Sequence, residues 1–291
     1  MRIAALALLW LAWVAGALAA EIAESVLKVP VKFEDMYRKT IEREITVTMF
    51  EEPGRAPYPL LVLSHGRPAN NLGRQNFGRA RYSDAAKYFA SLGYSVWVPT
   101  RIGYGVSGVD EDPENTGPCG SKVYPPAYAA AAEQVLQVMD YAKRRPDIDG
   151  ARVVSIGQSY GGATSIALAS RNPPGLVAAI NFAGGGGGDP DLRPGEPCES
   201  FRLAEMFAAY GSTGRVPTLW IYAENDRFFG PKHAKNWFQA FRLQGGSGEL
   251  VMLPPFGQDG HLLFARGLEV WKPIVERFLE LHLSSLTSRS Q

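Results

Sequence analysis

Gly157-Gln158-Ser159-Tyr160-Gly161 constrains this chain more than any other stretch, because a serine framed by those glycines marks a sharp turn from strand to helix. Val153-Val154-Ser155-Ile156 before it is short, apolar and β-branched, the pattern of a buried strand. Residues 162–169 after it are mostly small and suit a helix. A serine at this junction projects its hydroxyl from the sheet edge on a strained backbone. Side chains two positions away would collide, so glycine is expected at 157 and 161. The competing interpretation is a glycine-rich βα turn that happens to contain a serine.

The chain has 291 residues, 46% hydrophobic and 20% charged, enough to bury a sizeable core. A net charge of +1 and the absence of basic runs give no electrostatic reason to expect nucleic acid. Met1-Arg2, an apolar stretch over 3–14 and small residues over 15–20 form the pattern of a secretory leader, with cleavage after Ala19 or Ala20. The rival is an uncleaved anchor, since residues 3–20 carry no charge. The expected organisation is a leader over 1–20 and one domain over 21–291. After cleavage the protein would be periplasmic or extracellular and free of the membrane. Cys119 and Cys198 are the only cysteines, and in an exported protein they are expected to form a disulfide rather than two free thiols.

Along the chain, strands are expected at 26–33 and 45–50, then at 60–64, 94–98, 153–156, 176–182, 218–223 and 250–253. Helices fit between most of the later strands: one capped by Ser83, one over 127–144, one beginning at Pro231, and one closing the chain around Trp271. Repeated βα units imply a largely parallel sheet with helices on both faces and a site at the carboxyl ends of its strands.

A serine hydroxyl attacks only when a base takes its proton, so a histidine and a group to orient it are required. Four histidines are available. His261 follows the last strand in a turn-rich loop and can reach the sheet edge. His65 reads as a structural loop residue, His233 lies within a helix, and His282 reads as a surface residue near the tail. Asp226 is the expected acid, one short turn past the 218–223 strand, with Glu224 as the runner-up. An oxyanion would be held by the N–H of Tyr160, at a helix start, and by that of Arg67, in the loop after 60–64.

The order Ser159, Asp226, His261, with Ser64-His65-Gly66-Arg67, the elbow and Asp259-Gly260-His261, resembles the dienelactone hydrolase-like branch of the α/β-hydrolase superfamily over roughly residues 40 to 285. The resemblance implies an α/β-hydrolase fold, with Ser159, Asp226 and His261 as nucleophile, acid and base. Dienelactone hydrolases carry a cysteine nucleophile, and position 159 is serine. The elbow is also similar to that of prolyl-oligopeptidase-type peptidases. The expectation is a serine hydrolase that cleaves a small-molecule carboxylic ester without metal or organic cofactor. A small peptidase or amidase, or a catalytically silent binding module on this scaffold, is the alternative. Oligomeric state is left open. The run of glycines at 184–188 reads as a mobile loop that a Cys119–Cys198 bridge would tether.

Overall fold

In a computed structural model, residues 21–287 are described, and the leader expected over 1–20 lies outside them. The first two strands form a long hairpin. β1 (Ala23–Glu34) and β2 (Thr40–Glu51) pair antiparallel from Ala23 opposite Glu51 to Glu34 opposite Thr40. Asp35 Oδ1 closes the turn by accepting the N–H groups of Tyr37 (2.8 Å) and Lys39 (3.0 Å). Val29, Val31 and Phe33 face the core at strand spacing.

β3 (Tyr58–Ser64), β4 (Ser95–Thr100), β5 (Ile148–Gln158), β6 (Leu176–Phe182), β7 (Thr218–Ala223) and β8 (Gly248–Leu253) complete an eight-stranded sheet. Its order is β1-β2-β4-β3-β5-β6-β7-β8, and all pairs from β4 onward are parallel. Every residue of β4 and β7 is buried, as strands covered on both faces must be.

The helices are α1 (Asn71–Gln75), α2 (Ser83–Ser91), α3 (Tyr124–Ala142), α4 (Tyr160–Ala169), α5 (Ser200–Thr213), α6 (Pro231–Leu243), α7 (Leu263–Arg266) and α8 (Leu268–Thr287). They divide between two cores. Leu60 and Val62 of β3 join α3, α4, α5 and α6 on one face, whereas Leu61 and Leu63 join α2, α7 and α8 on the other. Trp271 of α8 is fully buried between the rings of Phe89 and Phe264, and truncating such a side chain costs about 3–5 kcal/mol. Among the described residues, no helix is long and apolar enough to cross a membrane.

Two local expectations are corrected. Ser83 does not cap α2; it is the first helical residue, and the cap is Tyr82, held at φ 47°. α5 was not anticipated, although Leu203, Met206 and Phe207 bury its inner face. The βα units bring the ends of β3, β5, β7 and β8 to one sheet edge, and with them Arg67, Ser159, Asp226 and His261.

Candidate active site

Ser159 stands at the turn between β5 and α4 with φ 57° and ψ −123°. A non-glycine residue held there costs of order 1–3 kcal/mol, so its surroundings must over-determine it. They do: the Ser159 N–H donates to Phe182 O (2.8 Å), and the Ser159 carbonyl accepts from Gly162 (2.9 Å) and Ala163 (3.2 Å). A Cβ at Gly157 would lie 2.0 Å from the Gly161 carbonyl oxygen. At Gly161 it would lie 2.1 Å from the Ser64 carbonyl oxygen, a clash with the neighbouring strand.

The loops after β7 and β8 bring Asp226 and His261 together. His261 Nδ1 lies 3.1 Å from Asp226 Oδ1 and 3.0 Å from Oδ2. Asp226 Oδ1 also accepts the N–H groups of Phe228 (2.8 Å) and Phe229 (2.9 Å), which fix the carboxylate. An imidazole that gives its Nδ1–H to this carboxylate presents Nε2 as an acceptor. Phe228 stacks on the imidazole at 4.1 Å, and Phe229 meets it edge-on at 5.3 Å. Glu224, the runner-up acid, is exposed. No hydrogen bond joins Ser159 Oγ to His261 among the described residues; the two elements are linked one residue away, where Gln158 Nε2 donates to the His261 carbonyl at 2.9 Å.

The other histidines are used elsewhere. His65 is fully buried, with Nδ1 2.7 Å from Gly66 O and Nε2 accepting the Arg101 N–H at 3.1 Å. Burial, and then the Arg101 charge, hold it well below the usual histidine range, so it is neutral. His233 bridges Glu196 and Ser200, at 2.7 Å each. His282 is half-buried against the Phe278 ring.

The loop after β3 passes directly over the serine: a Cβ at Gly66 would lie 3.1 Å from Ser159 Cβ. The N–H of Tyr160 is the first of α4 and has no intrahelical acceptor. The Arg67 guanidinium forks onto Asp112 at 2.8 and 2.6 Å. Beneath this loop lies a fully buried pair, Arg101 Nε to Glu114 Oε1 at 2.5 Å, and Arg101 also donates to the His65 carbonyl (3.0 Å). Tyr104 donates to Glu114 Oε2 at 2.5 Å.

Several positioning residues escaped the sequence reading. Tyr82 accepts the Gly66 N–H (3.3 Å) and donates to Gln158 Oε1 (2.9 Å), so Gln158 ties the loop over the serine to the His261 loop. Asp259 Oδ1 accepts from both His261 N and Arg227 N, each at 3.0 Å. Gln158 lies inside the elbow motif and Asp259 just before Gly260-His261, so both were adjacent to a signal. Tyr82 had none.

Ser159 opens into a cavity of about 260 Å³ that also borders Tyr160, Arg67, Phe228 and Phe229. A disulfide joins Cys119 to Cys198 on its wall, with Cα atoms 5.1 Å apart. The glycine run is packed rather than loose. The hydroxyl of Tyr222 donates to Gly184 O (2.6 Å), that of Tyr128 to Gly185 O (2.8 Å), and that of Tyr124 to Cys198 O (2.6 Å). A Cβ would lie 2.7 Å from the Trp237 ring at Gly185 and 2.3 Å from the Tyr124 hydroxyl at Gly187. These glycines serve close approach of backbone to aromatic rings, which composition alone does not distinguish from flexibility.

A mostly parallel sheet, a Gly-x-Ser-x-Gly turn at its centre, and Asp and His loops after the next strands define the α/β-hydrolase class. The chain belongs to the alpha/beta hydrolase family, whose model matches residues 61–283. The fold is similar to that of an acetyl xylan esterase from Paenibacillus sp. R4, at 17% identity and TM-score 0.59, over 90% of this chain and 89% of that one. It is also similar to a dienelactone hydrolase-like promiscuous phosphotriesterase from metagenomic libraries, at 18% identity and TM-score 0.50, over 80% of this chain and 82% of that one. A third likeness is to an acylaminoacyl peptidase of Pyrococcus horikoshii, at 17% identity and TM-score 0.58. That match covers 88% of this chain and 42% of the peptidase, so the chain spans under half its length. At these identities the likeness is one of fold.

Proposed function

We propose that this hydrolase is an exported serine esterase that cleaves carboxylic esters through an acyl-enzyme. The observation that carries the reading is the buried His261–Asp226 pair, whose loop Gln158 ties to the elbow where Ser159 sits in a strained, tightly bonded conformation. Ser159 Oγ attacks the ester carbonyl carbon while His261 Nε2 takes its proton. The tetrahedral oxyanion is held by the N–H groups of Tyr160 and Arg67. The carbon–oxygen bond to the alcohol then breaks, and His261 returns the proton to the departing oxygen. Water, deprotonated by His261, attacks the acyl-enzyme, so one ester and one water give one acid and one alcohol. Asp226 keeps Nδ1 protonated and stabilises the imidazolium without itself taking a proton. Export is supported by the Cys119–Cys198 disulfide, since thiols persist as thiols in a reducing cytoplasm.

Labelling with a fluorophosphonate tests the assignment. The wild-type protein should label and hydrolyse short p-nitrophenyl esters faster than the matching anilides. Ser159→Ala should lose labelling with its far-UV circular dichroism unchanged, and turnover should fall by several powers of ten. Labelling that persists in Ser159→Ala would remove Ser159 from the mechanism, and faster turnover of anilides would make the protein an amidase.

A further inference from the structure

On the proposed mechanism His261 gains and loses a charge in every turnover, and one residue touches both this base and its acid. Phe228 donates its main-chain N–H to Asp226 Oδ1 at 2.8 Å. Its ring stacks on the imidazole, with centroids 4.1 Å apart and planes 23° from parallel. Phe229 meets the same imidazole at 76°, so only Phe228 lies flat against it. Phe228 also lines the cavity into which Ser159 opens, which puts the stack at the reacting end of the site.

The stacked ring is firmly placed. The Gly195 N–H donates to the Arg227 carbonyl (2.6 Å) and the Gly230 N–H to the Gly195 carbonyl (2.9 Å), which holds the chain on both sides of the two phenylalanines. A Cβ at Gly188 would lie 3.0 Å from Phe228 Cβ and 2.9 Å from the Phe228 carbonyl oxygen, so the glycine strip packs on this residue as well.

The face of an aromatic ring attracts a cation within about 6 Å of its centroid, most strongly where water is excluded. A neutral imidazole gains only ring packing from the same neighbour. His261 and Asp226 are 5% and 3% exposed, so the contact is a desolvated one. Among the described residues, the charged groups bonded to His261 are Asp226, at the ring, and Asp259, at the main-chain N–H. Gln158, which reaches its carbonyl from β5, is neutral. Arg67, Lys122 and Arg193 line the cavity that Phe228 shares with Ser159, and their charge opposes a cation on the imidazole.

We propose that Phe228 is a further catalytic residue, whose ring face stabilises the imidazolium formed when His261 takes the serine proton. The proposal rests on the esterase reading for the reaction that the ring serves. In acylation the Ser159 hydroxyl proton passes to Nε2 as Oγ bonds the carbonyl carbon, and it leaves on the alcohol oxygen. In deacylation a water proton passes to Nε2 as the hydroxide oxygen bonds the acyl carbon, and it returns to Ser159 Oγ. The imidazole is charged in both transition states and neutral in the states between, so the ring favours the transition states selectively. The effect therefore falls on kcat, whichever half limits, and leaves KM alone.

Fluorination tests it, because fluorine withdraws charge from the ring face while nearly keeping its shape. With mono-, di- and trifluorinated phenylalanine placed at position 228, kcat toward p-nitrophenyl acetate should fall stepwise at constant KM. Phe228→Leu, which removes the ring, should lower kcat about 2- to 30-fold. Along the same series the acid limb of kcat/KM should move to lower pH while the plateau falls, since the imidazole then holds its proton less tightly. Thermal melting checks the fold. A kcat that stays flat across the fluorinated series overturns the proposal, even if Phe228→Leu is slow, because that result is packing. The imidazole proton resonances of His261, titrated in Ser159→Ala, need no chemistry and should show the same displacement. Displacement in a protein that hydrolyses no ester keeps the ring's hold on the imidazolium and removes the esterase. Ester hydrolysis with neither turnover nor titration moved by fluorine does the reverse.

Discussion

Asp226→Asn is the most informative single change at this site, because its effect follows from which oxygen each partner uses. Oδ1 accepts the Phe228 and Phe229 N–H groups at 2.8 and 2.9 Å, so the amide oxygen of an asparagine must occupy that end. The amide nitrogen then replaces Oδ2, which lies 3.0 Å from His261 Nδ1. An N–H facing Nδ1 obliges it to accept, and the ring proton moves to Nε2. On the proposed mechanism, His261 is thereby protonated at the one atom that must receive the serine proton. A wrong tautomer of this kind lowers kcat by about 10⁴, or about 5 kcal/mol at the transition state. The fold loses much less, because volume is unchanged and only a charge-assisted bond is weakened, at about 1–3 kcal/mol. Esterase turnover at neutral pH, normalised to folded fraction from a denaturant curve, measures both. Glu224→Gln, at an exposed position, should change turnover less than threefold. Asp226→Asn within tenfold of wild type, or Glu224→Gln the more damaging, would refute the reasoning.

Three further outcomes are expected. Gly161→Ala drives a Cβ to 2.1 Å from the Ser64 carbonyl oxygen and should lower stability by about 3 kcal/mol, read as a Tm drop of roughly 6–12 °C. Cys119→Ser with Cys198→Ser opens a loop of 79 residues' separation and should lower stability by up to about 4–5 kcal/mol by chain entropy, measured in urea. Because burial, and then the charges of Arg67 and Arg193, hold Lys122 below the ordinary lysine value, its charge is full at lower pH and lost as pH rises; any part of kcat/KM that depends on that charge should therefore decline before an ordinary lysine would titrate, and Lys122→Met should remove that limb of the pH profile.

The sheet was legible because its strands are short apolar runs bounded by turns: β6 and β7 lie where the apolar runs 176–182 and 218–223 lie. The helix at Pro231 was equally plain, its missing N–H being one that a first turn does not use. What stayed hidden depends on contacts distant in sequence. Nothing near Tyr82 reveals that its hydroxyl reaches Gln158, 76 positions away, and its left-handed backbone carries no glycine signature. The Arg101–Glu114 pair was hidden for the same reason: each residue reads as an ordinary loop charge until the fold buries both. α5 sits in a long Gly/Pro-rich connection whose composition masks the spacing of Leu203, Met206 and Phe207.

The glycines at 184–188 have a consequence for how this protein can change over generations. One wall of the cavity is bare main chain pressed against Trp237, Tyr124 and Tyr128, so most single-codon changes there would expel a ring from the core before they reshaped the cavity. That wall is closed to gradual drift. Change in the cavity is left to the side chains of the loops that carry Lys122 and Arg193, where the disulfide keeps the main chain fixed while side chains are exchanged. Lineages descending from such an ancestor should therefore diversify in those loops while the glycine wall stays the same.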